Sequence, residues 1–249
     1  MLLMIILSWD VGITNLSWCI VTLRKDGYEI FDWNVINFID SEDEKHIIKC
    51  SGLLKNKKPC TKNAKFKQDT YYCCSKHLNS DKPKETLAKD KVNIKKLTLQ
   101  YLAEHLASRL DSLNILSKWP IDVIIIENQP KIASASIKHT MDFLLCYLTI
   151  RLIDLKKKTK VITISPKRKL SVYNGPSVEC NIKDPHSRNK FLGVSYCSYM
   201  LKNELTHEEA EPYYIYVDWL KFFESIKKKD DLADSFLQGA WYLKNKSLR

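Results

Sequence analysis

Four carboxylate residues stand where secondary-structure elements are predicted to begin or end. Asp10 closes an apolar N-terminal run, and Glu127 closes the β-branched run that starts at Ile121. Asp231 and Asp234 lie three residues apart in a predicted helix, so their side chains share one face. Converging carboxylates repel one another unless a cation binds them, and hard oxygen ligands suit Mg²⁺ or Mn²⁺. Two such ions can activate a water and stabilise a leaving oxygen in phosphodiester hydrolysis.

Three of these carboxylates also have an ordinary structural explanation. Asp10 could begin a turn, Glu127 could be exposed beyond its strand, and Asp231 could be favoured by the helix dipole. Asp230 competes with Asp231 as a ligand, because a residue four before Asp234 would also reach the same face. Metal binding by the set is favoured because one sheet could align all of these element boundaries.

A second group of candidate ligands follows the pattern Cys-x9-Cys-x13-Cys-x2-His. Its members are Cys50, Cys60, Cys74 and His77, with Cys73 as an alternative to Cys74. Three thiolates and an imidazole could bind Zn²⁺ in a closed tetrahedron, which would make the site structural. The competing interpretation is a loop with free thiols. Zinc is favoured because this polar, Lys-rich stretch has little core of its own.

Net charge points to a polyanion as partner. The chain has 249 residues with 40 Lys+Arg against 29 Asp+Glu, and its 45% hydrophobic content indicates a folded protein. Residues 45–80 hold nine Lys and one Asp, and residues 151–190 hold eleven Lys+Arg and three acids. Nucleic acid is the simplest partner for two such segments, although Lys could merely be the default surface residue. The candidate phosphate contacts are Lys167, Arg168, Lys169, Arg188 and Lys190.

The elements that must position these residues predict an α/β fold. Residues 45–80 interrupt the pattern and are predicted to be a small inserted Cys/His zinc module within one domain of residues 1–249. The remaining order is typical of a mixed five-stranded sheet with helices on both faces. Its predicted strands are 2–9, 16–23, 28–38, 121–126 and 160–165, and its predicted helices are 92–116, 132–155, 191–205 and 231–244. No apolar run is long enough for a membrane helix and the N-terminal run is a poor signal peptide, so we expect an intracellular protein without membrane contact.

Three segments resemble the active-site motifs of the RuvC-like Holliday junction resolvases, with the closest likeness to the poxvirus-type resolvases of large DNA viruses. They are Asp10-Val11-Gly12, Ile124–Pro130 and Lys229–Ser235, and they occur in the same linear order. The resemblance spans most of the chain outside residues 41–90. It implies a ribonuclease H-like fold and a homodimer that cuts four-way DNA junctions with Mg²⁺. It also implies that the metal ligands are Asp10, Glu127, Asp231 and Asp234.

The resemblance leaves two other activities open. One is a ribonuclease H-like nuclease for other branched or hybrid nucleic acids, and the other is a non-catalytic zinc-containing DNA-binding protein. The inserted module departs from the simplest poxvirus-type pattern, and its lysines could extend the DNA-contact surface. A viral relative of this kind would be expected to act at a cytoplasmic replication site.

Overall fold

The computed structural model describes residues 3–37, 48–87, 97–129, 134–206 and 217–246. Contacts divide the chain into two compact units, one of Met1–Ile39 with Thr98–Arg249 and the other of Asp40–Leu97. The second unit is wider than the inserted module of residues 45–80 expected from the sequence, and residues 45–47 lie outside the described ranges.

The described residues of the first unit form five strands and six helices. The five strands and four of the helices follow the predicted order, and two short helices are additional. The strands are β1 (Ile6–Val11), β2 (Asn15–Leu23), β3 (Tyr28–Asn37), β7 (Val123–Glu127) and β8 (Lys160–Ile164). The helices are α1 (Leu99–Leu113), α2 (Ile115–Lys118), α3 (Ala135–Asp154), α4 (Pro185–Asn203), α5 (Trp219–Ser225) and α6 (Lys229–Lys246), and a 3-10 segment spans Pro166–Val172. None of the helices in the described ranges is long and apolar enough to cross a membrane.

The five strands form one mixed sheet in the order β3-β2-β1-β7-β8. β1 pairs antiparallel with β2 and parallel with β7, while β8 pairs parallel with β7 at the edge. The sequence Val-Ile-Ile-Ile-Glu of β7 is buried throughout, as expected for a parallel strand covered on both faces. The predicted mixed five-stranded sheet is therefore confirmed.

Helices cover both faces of this sheet, as predicted. Leu7 and Trp9 of β1 line a cavity of about 250 Å³ together with Leu110 of α1 and Leu148 of α3. Ile6 points to the opposite face, where it belongs to the apolar core that α6 completes. Alternation along β1 therefore separates two layers of core, and α6 lies on the same face as Ile6, Ser8 and Asp10.

The start of α4 differs from the prediction. The sequence predicts a helix only from residue 191, but residues 166–190 contain the 3-10 segment and the first turns of α4, which begins at Pro185. The Asp184 carboxylate accepts a 2.7 Å hydrogen bond from the Ser187 backbone N–H, and proline fits the first helical position. Asp184-Pro185 is thus the helix-start signal that the basic composition of the segment obscured.

The described part of the second unit, residues 48–87, contains a small antiparallel sheet. Its strands are β4 (Phe66–Gln68), β5 (Tyr71–Cys73) and β6 (Glu85–Thr86), in the order β5-β4-β6. Its buried apolar cluster consists of four cysteines, with Phe66 and Leu78 packed against them. A core this small provides little hydrophobic stabilisation.

Candidate active site

Two parallel strands bring Asp10 and Glu127 together. The register of β1 and β7 pairs Trp9 with Ile126, so the next residue on each strand is a carboxylate. Paired residues of neighbouring strands point to the same face of the sheet, and here that face carries α6. Glu127 is 8% exposed and Asp10 is half-buried.

Helix α6 adds a third carboxylate, because it is fixed against β1 and β2. The Gln238 side-chain amide donates hydrogen bonds to Ser8 Oγ at 3.1 Å and to the Trp9 carbonyl at 3.2 Å. One residue later, a Cβ at Gly239 would lie 2.8 Å from Val21 Cγ1, so glycine permits the close approach of helix and sheet. Asp234 stands one turn before Gln238 and is thereby directed towards Asp10.

The three carboxylates of Asp10, Glu127 and Asp234 form one cluster. Each residue offers an oxygen, and these oxygens all lie within 4.8 Å of one another. The ligands of one octahedral Mg²⁺ lie about 3.0 to 4.2 Å apart, since Mg–O distances are about 2.1 Å. The donor set therefore suits a hard divalent cation, and its oxygens are at most about 0.6 Å further apart than the ligands of one such ion.

Asp231 lies beside this cluster and not within the group of three. One oxygen of its carboxylate accepts a 3.3 Å hydrogen bond from the Asn15 side-chain amide. Burial raises the pKa of Asp231, and the neighbouring charge of Asp230 raises it further. Asp231 is close enough for its charge to raise the pKa of Asp10 as well.

Asp230 faces a different partner. Its carboxylate forms a 2.6 Å ion pair with Lys190 of α4. Burial alone would raise the pKa of Asp230, but this ion pair outweighs burial and lowers it. The two adjacent aspartates thus have separate surroundings, with Asp231 on the side of the cluster and Asp230 on the side of α4.

Lys169 lies inside the cluster, where sequence reasoning did not place it. Its Nζ is 2.7 Å from Glu127 Oε2 and 2.7 Å from Asp234 Oδ2, and its side chain is only 13% exposed. The sequence predicts Lys169 to be one of the phosphate contacts, but in the structure its ammonium group forms ion pairs with two carboxylates. Lys169 follows β8 in the 3-10 segment, so the rule that aligned Asp10 with Glu127 at parallel strand ends could also have located it.

The electrostatics of the cluster favour a cation. Burial raises the pKa of Asp10 well above its usual range, and the charges of Glu127 and Asp234 raise it further. Burial also raises the pKa of Asp234, to about 6, although Lys169 opposes this. Burial lowers the pKa of Lys169, but the carboxylates outweigh burial and raise it above its ordinary value. When all three carboxylates are ionised, their combined negative charge exceeds the single positive charge of Lys169. The site therefore has a net negative charge that a cation would neutralise.

The other predicted phosphate contacts lie on the surface. Lys167 and Arg168 are exposed in the 3-10 segment, where the Arg168 guanidinium lies 5.3 Å from the ring centre of Trp241. Arg188 and Lys190 are exposed in the first turns of α4. Lys190 connects this basic surface to α6 through its ion pair with Asp230.

In the second unit, the structure gathers the predicted Cys/His ligands. Suitable ligand atoms of Cys50, Cys60, Cys74 and His77 all lie within 4.8 Å of one another. Cys73 is not in this group, and its thiol is 3.7 Å from Gln68 Oε1. Both candidate metal groups are thus formed from residues distant in sequence.

Comparison with known proteins gives a family and a viral relative. A sequence-family profile described as mitochondrial resolvase Ydc2 / RNA splicing MRS1 matches residues 6–147, which include Asp10 and Glu127 but not α6. The uncharacterized protein L451 of Acanthamoeba polyphaga mimivirus is 26% identical, and the alignment covers 96% of this chain and 74% of L451.

The fold is shared with a solved structure. The yeast mitochondrial Holliday junction resolvase Ydc2 has a TM-score of 0.50 at 18% identity, covering 97% of this chain and 80% of its own. The fowlpox virus resolvase, solved with its substrate Holliday junction DNA, has a TM-score of 0.47 at 14% identity, covering 98% and 99%. The sheet order and the similarity to the Ydc2 structure confirm the predicted ribonuclease H-like fold.

Proposed function

Since the chain belongs to the family of mitochondrial resolvase Ydc2 / RNA splicing MRS1, we propose that it is a metal-dependent endonuclease that resolves four-way DNA junctions. The observation that carries the proposal is the cluster of Asp10, Glu127 and Asp234 at the ends of two parallel strands and on α6. Buried carboxylates at these positions are costly for stability, and a catalytic cation gives them a chemical purpose.

We assign the cluster the role of holding Mg²⁺ or Mn²⁺. Asp10, Glu127 and Asp234 would hold the ion, and Asp231 would add a ligand from the same helix face. When bound, such ions activate water and stabilise the leaving oxygen of a phosphodiester. Lys169 links Glu127 to Asp234 through its two ion pairs and would help to keep both carboxylates beside Asp10.

The basic surface beside the cluster would position the DNA. Lys167, Arg168, Arg188 and Lys190 are exposed on the two elements that flank α6. Contacts of these side chains to phosphates would be independent of sequence and sensitive to salt, which suits an enzyme that selects DNA by its branched shape.

The family description names an RNA splicing protein beside a resolvase. The alternative to a nuclease is a non-catalytic zinc-containing DNA-binding protein. The carboxylate cluster favours hydrolysis, because simple binding to nucleic acid does not require three acidic side chains beside a basic surface. A nuclease for other branched or hybrid nucleic acids would use the same cluster. Substrate selectivity therefore has to be measured directly.

The decisive measurement is cleavage of a synthetic four-way junction beside a linear duplex of the same sequence. We expect paired, symmetrically placed nicks in the junction with Mg²⁺, at least about 100-fold fewer nicks in the duplex, and no cleavage with chelator. Equal cleavage of junction, flap and RNA–DNA hybrid would favour the broader nuclease. Tight binding without cleavage in Mg²⁺ or Mn²⁺ would refute the proposal and favour the binding protein.

Paired cleavage suggests a homodimer, since a two-fold symmetric enzyme matches a two-fold symmetric junction. An apolar stripe on α3 supports this assembly. Cys146 is exposed, and Ile150 and Ile153 follow on the same helix face with 58% and 70% exposure. We propose that this stripe forms the contact between two copies.

The dimer contact can be tested by placing charge on the stripe. We expect Ile150→Glu together with Ile153→Glu to convert the protein into a monomer, because two carboxylates would be buried without partners at the contact. Phe191→Glu serves as the control, since Phe191 is 42% exposed on α4 and should leave the dimer intact. Light scattering after size-exclusion chromatography gives the mass, and a monomeric wild-type protein would contradict the assignment.

The proposal includes a location. The mimivirus relative supports a viral origin. A resolvase of a large DNA virus would act on the branched DNA formed during replication, at the cytoplasmic replication site.

A further inference from the structure

The second unit contains a metal site that the nuclease chemistry does not use. We propose that Cys50, Cys60, Cys74 and His77 bind one structural Zn²⁺ ion, that Cys73 is not a ligand, and that this ion maintains the fold of residues 48–87. The inference is independent of the proposed nuclease activity, because it depends on the geometry of the second unit alone.

The distances within the group match a tetrahedral zinc site. Zinc–sulfur bonds of about 2.3 Å and zinc–nitrogen bonds of about 2.0 Å place two sulfurs about 3.8 Å apart and a sulfur and a nitrogen about 3.6 Å apart. The Sγ atoms of Cys60 and Cys74 are 4.0 Å apart. His77 Nδ1 lies 3.2 Å from Cys50 Sγ and 3.6 Å from Cys74 Sγ.

The backbone around the group stabilises a thiolate at Cys50 and leaves space for the imidazole of His77. Cys50 Sγ accepts hydrogen bonds from the backbone N–H groups of Gly52 at 3.4 Å and Cys74 at 3.3 Å. Two donors on one sulfur stabilise negative charge there, as outer-shell partners of a metal ligand do. A Cβ at Gly52 would lie 2.4 Å from His77 Nδ1, so this space is kept free for the ring.

Cys73 is equally buried but serves another role. Its side chain is 0% exposed, and its thiol donates a long hydrogen bond of 3.7 Å to Gln68 Oε1. The Gln68 side chain in turn donates to the Asn79 carbonyl at 2.7 Å. Cys73 therefore belongs to the packing of β4 and β5, while the side chain of Cys74 points to the opposite side of the strand end.

The unit needs such an ion for its stability. Its apolar cluster is the four cysteines with Phe66 and Leu78, and all four cysteines are free thiols. Chains of about 40 residues rarely fold on so small a core without a metal or disulfides. A disulfide between Cys60 and Cys74 would need their sulfurs about 2.05 Å apart, roughly half the observed separation. Four protein ligands leave no open position, so the ion would be structural.

The adjacent cysteines provide a matched test in the full-length protein. We expect about one zinc ion per chain by elemental analysis of wild type and of Cys73→Ser, and at least about fivefold less in Cys74→Ser. Equal loss in both variants, iron in place of zinc, or no metal in wild type would overturn the proposal.

Two further measurements separate metal loss from misfolding. Cobalt(II) substituted into wild type and Cys73→Ser should give the same visible spectrum of a tetrahedral site with three thiolates, and His77→Cys should keep the metal while shifting that spectrum towards four thiolates. Chelation should also make residues 48–87, which contain ten Lys, the first site of trypsin cleavage. An unchanged spectrum in His77→Cys, or unchanged trypsin resistance after zinc removal, would contradict the assignment.

Discussion

Asp234→Asn is expected to reduce junction cleavage by at least about 1,000-fold, equivalent to about 4 kcal/mol in the activation free energy. Asparagine keeps the size of the side chain but removes the negative charge that would hold a divalent cation beside Asp10 and Glu127. Junction binding should remain within about threefold of wild type, because the exposed basic side chains that would contact phosphates are unchanged. Single-turnover cleavage and a binding titration in Ca²⁺ measure the two effects separately.

Asp230→Asn is the matched control for this loss. Asp230 lies four residues before Asp234 on α6, but its carboxylate pairs with Lys190 and lies outside the cluster of three. We expect Asp230→Asn to cleave within about threefold of wild type, since only a partly exposed ion pair outside the cluster is removed. Cleavage retained by Asp234→Asn, or lost to the same extent in both variants, would reject the assigned cluster.

Asp231→Asn tests whether a fourth carboxylate is needed. The proposed ligand set predicts that cleavage is also lost in this variant, although the Asp231 carboxylate lies beside Asn15 in the structure. Retained cleavage would restrict the catalytic ligands to Asp10, Glu127 and Asp234.

Much of the first unit could be predicted because its elements follow simple periodic patterns. The β-branched run before Glu127 predicted a buried strand, and β7 is buried throughout. The alignment of Asp10 with Glu127 followed from the expected strand order, which the pairing of Trp9 with Ile126 confirms. Element ends in a sheet are constrained by hydrogen bonding, so residues at those ends can be placed without knowledge of the side-chain packing.

Side-chain partners across distant segments were harder to predict. Lys169 looked like one member of an exposed basic run, yet it turns inward because two carboxylates are available to it. Cys73 and Cys74 have the same chemistry and almost the same spacing to His77, and the direction of each side chain is decided by the end of β5. The direction of the Lys169 side chain and the choice between Cys73 and Cys74 cannot be predicted from the neighbouring residues in sequence. Each depends on side chains that other elements place nearby.

Trp33 connects α6, the helix that carries Asp234, to strand β3 at the edge of the sheet. It lies on β3 with 1% exposure, and its ring stacks on Phe223 with centroids 5.4 Å apart. The indole N–H donates to the Leu232 carbonyl at 3.1 Å and to Ser235 Oγ at 3.2 Å, on either side of Asp234. The position of Asp234 therefore depends on a core residue that takes no part in chemistry.

We expect Trp33→Ala to lower the free energy of unfolding of the first unit by about 3–5 kcal/mol, because a large aromatic side chain is replaced by a cavity. Trp33→Phe should cost less, about 1–2 kcal/mol, since it retains aromatic packing and loses mainly the indole hydrogen bonds. Urea unfolding followed by helical circular dichroism reports on the first unit, because the described part of the second unit contains strands and turns. A loss below about 1 kcal/mol in Trp33→Ala would mean that α6 is held by its contacts to β1 and β2 alone. Trp33→Phe also tests how strongly cleavage depends on the position of Asp234. At urea concentrations well below its unfolding midpoint, we expect this variant to cleave within about tenfold of wild type, because α6 stays packed on the sheet.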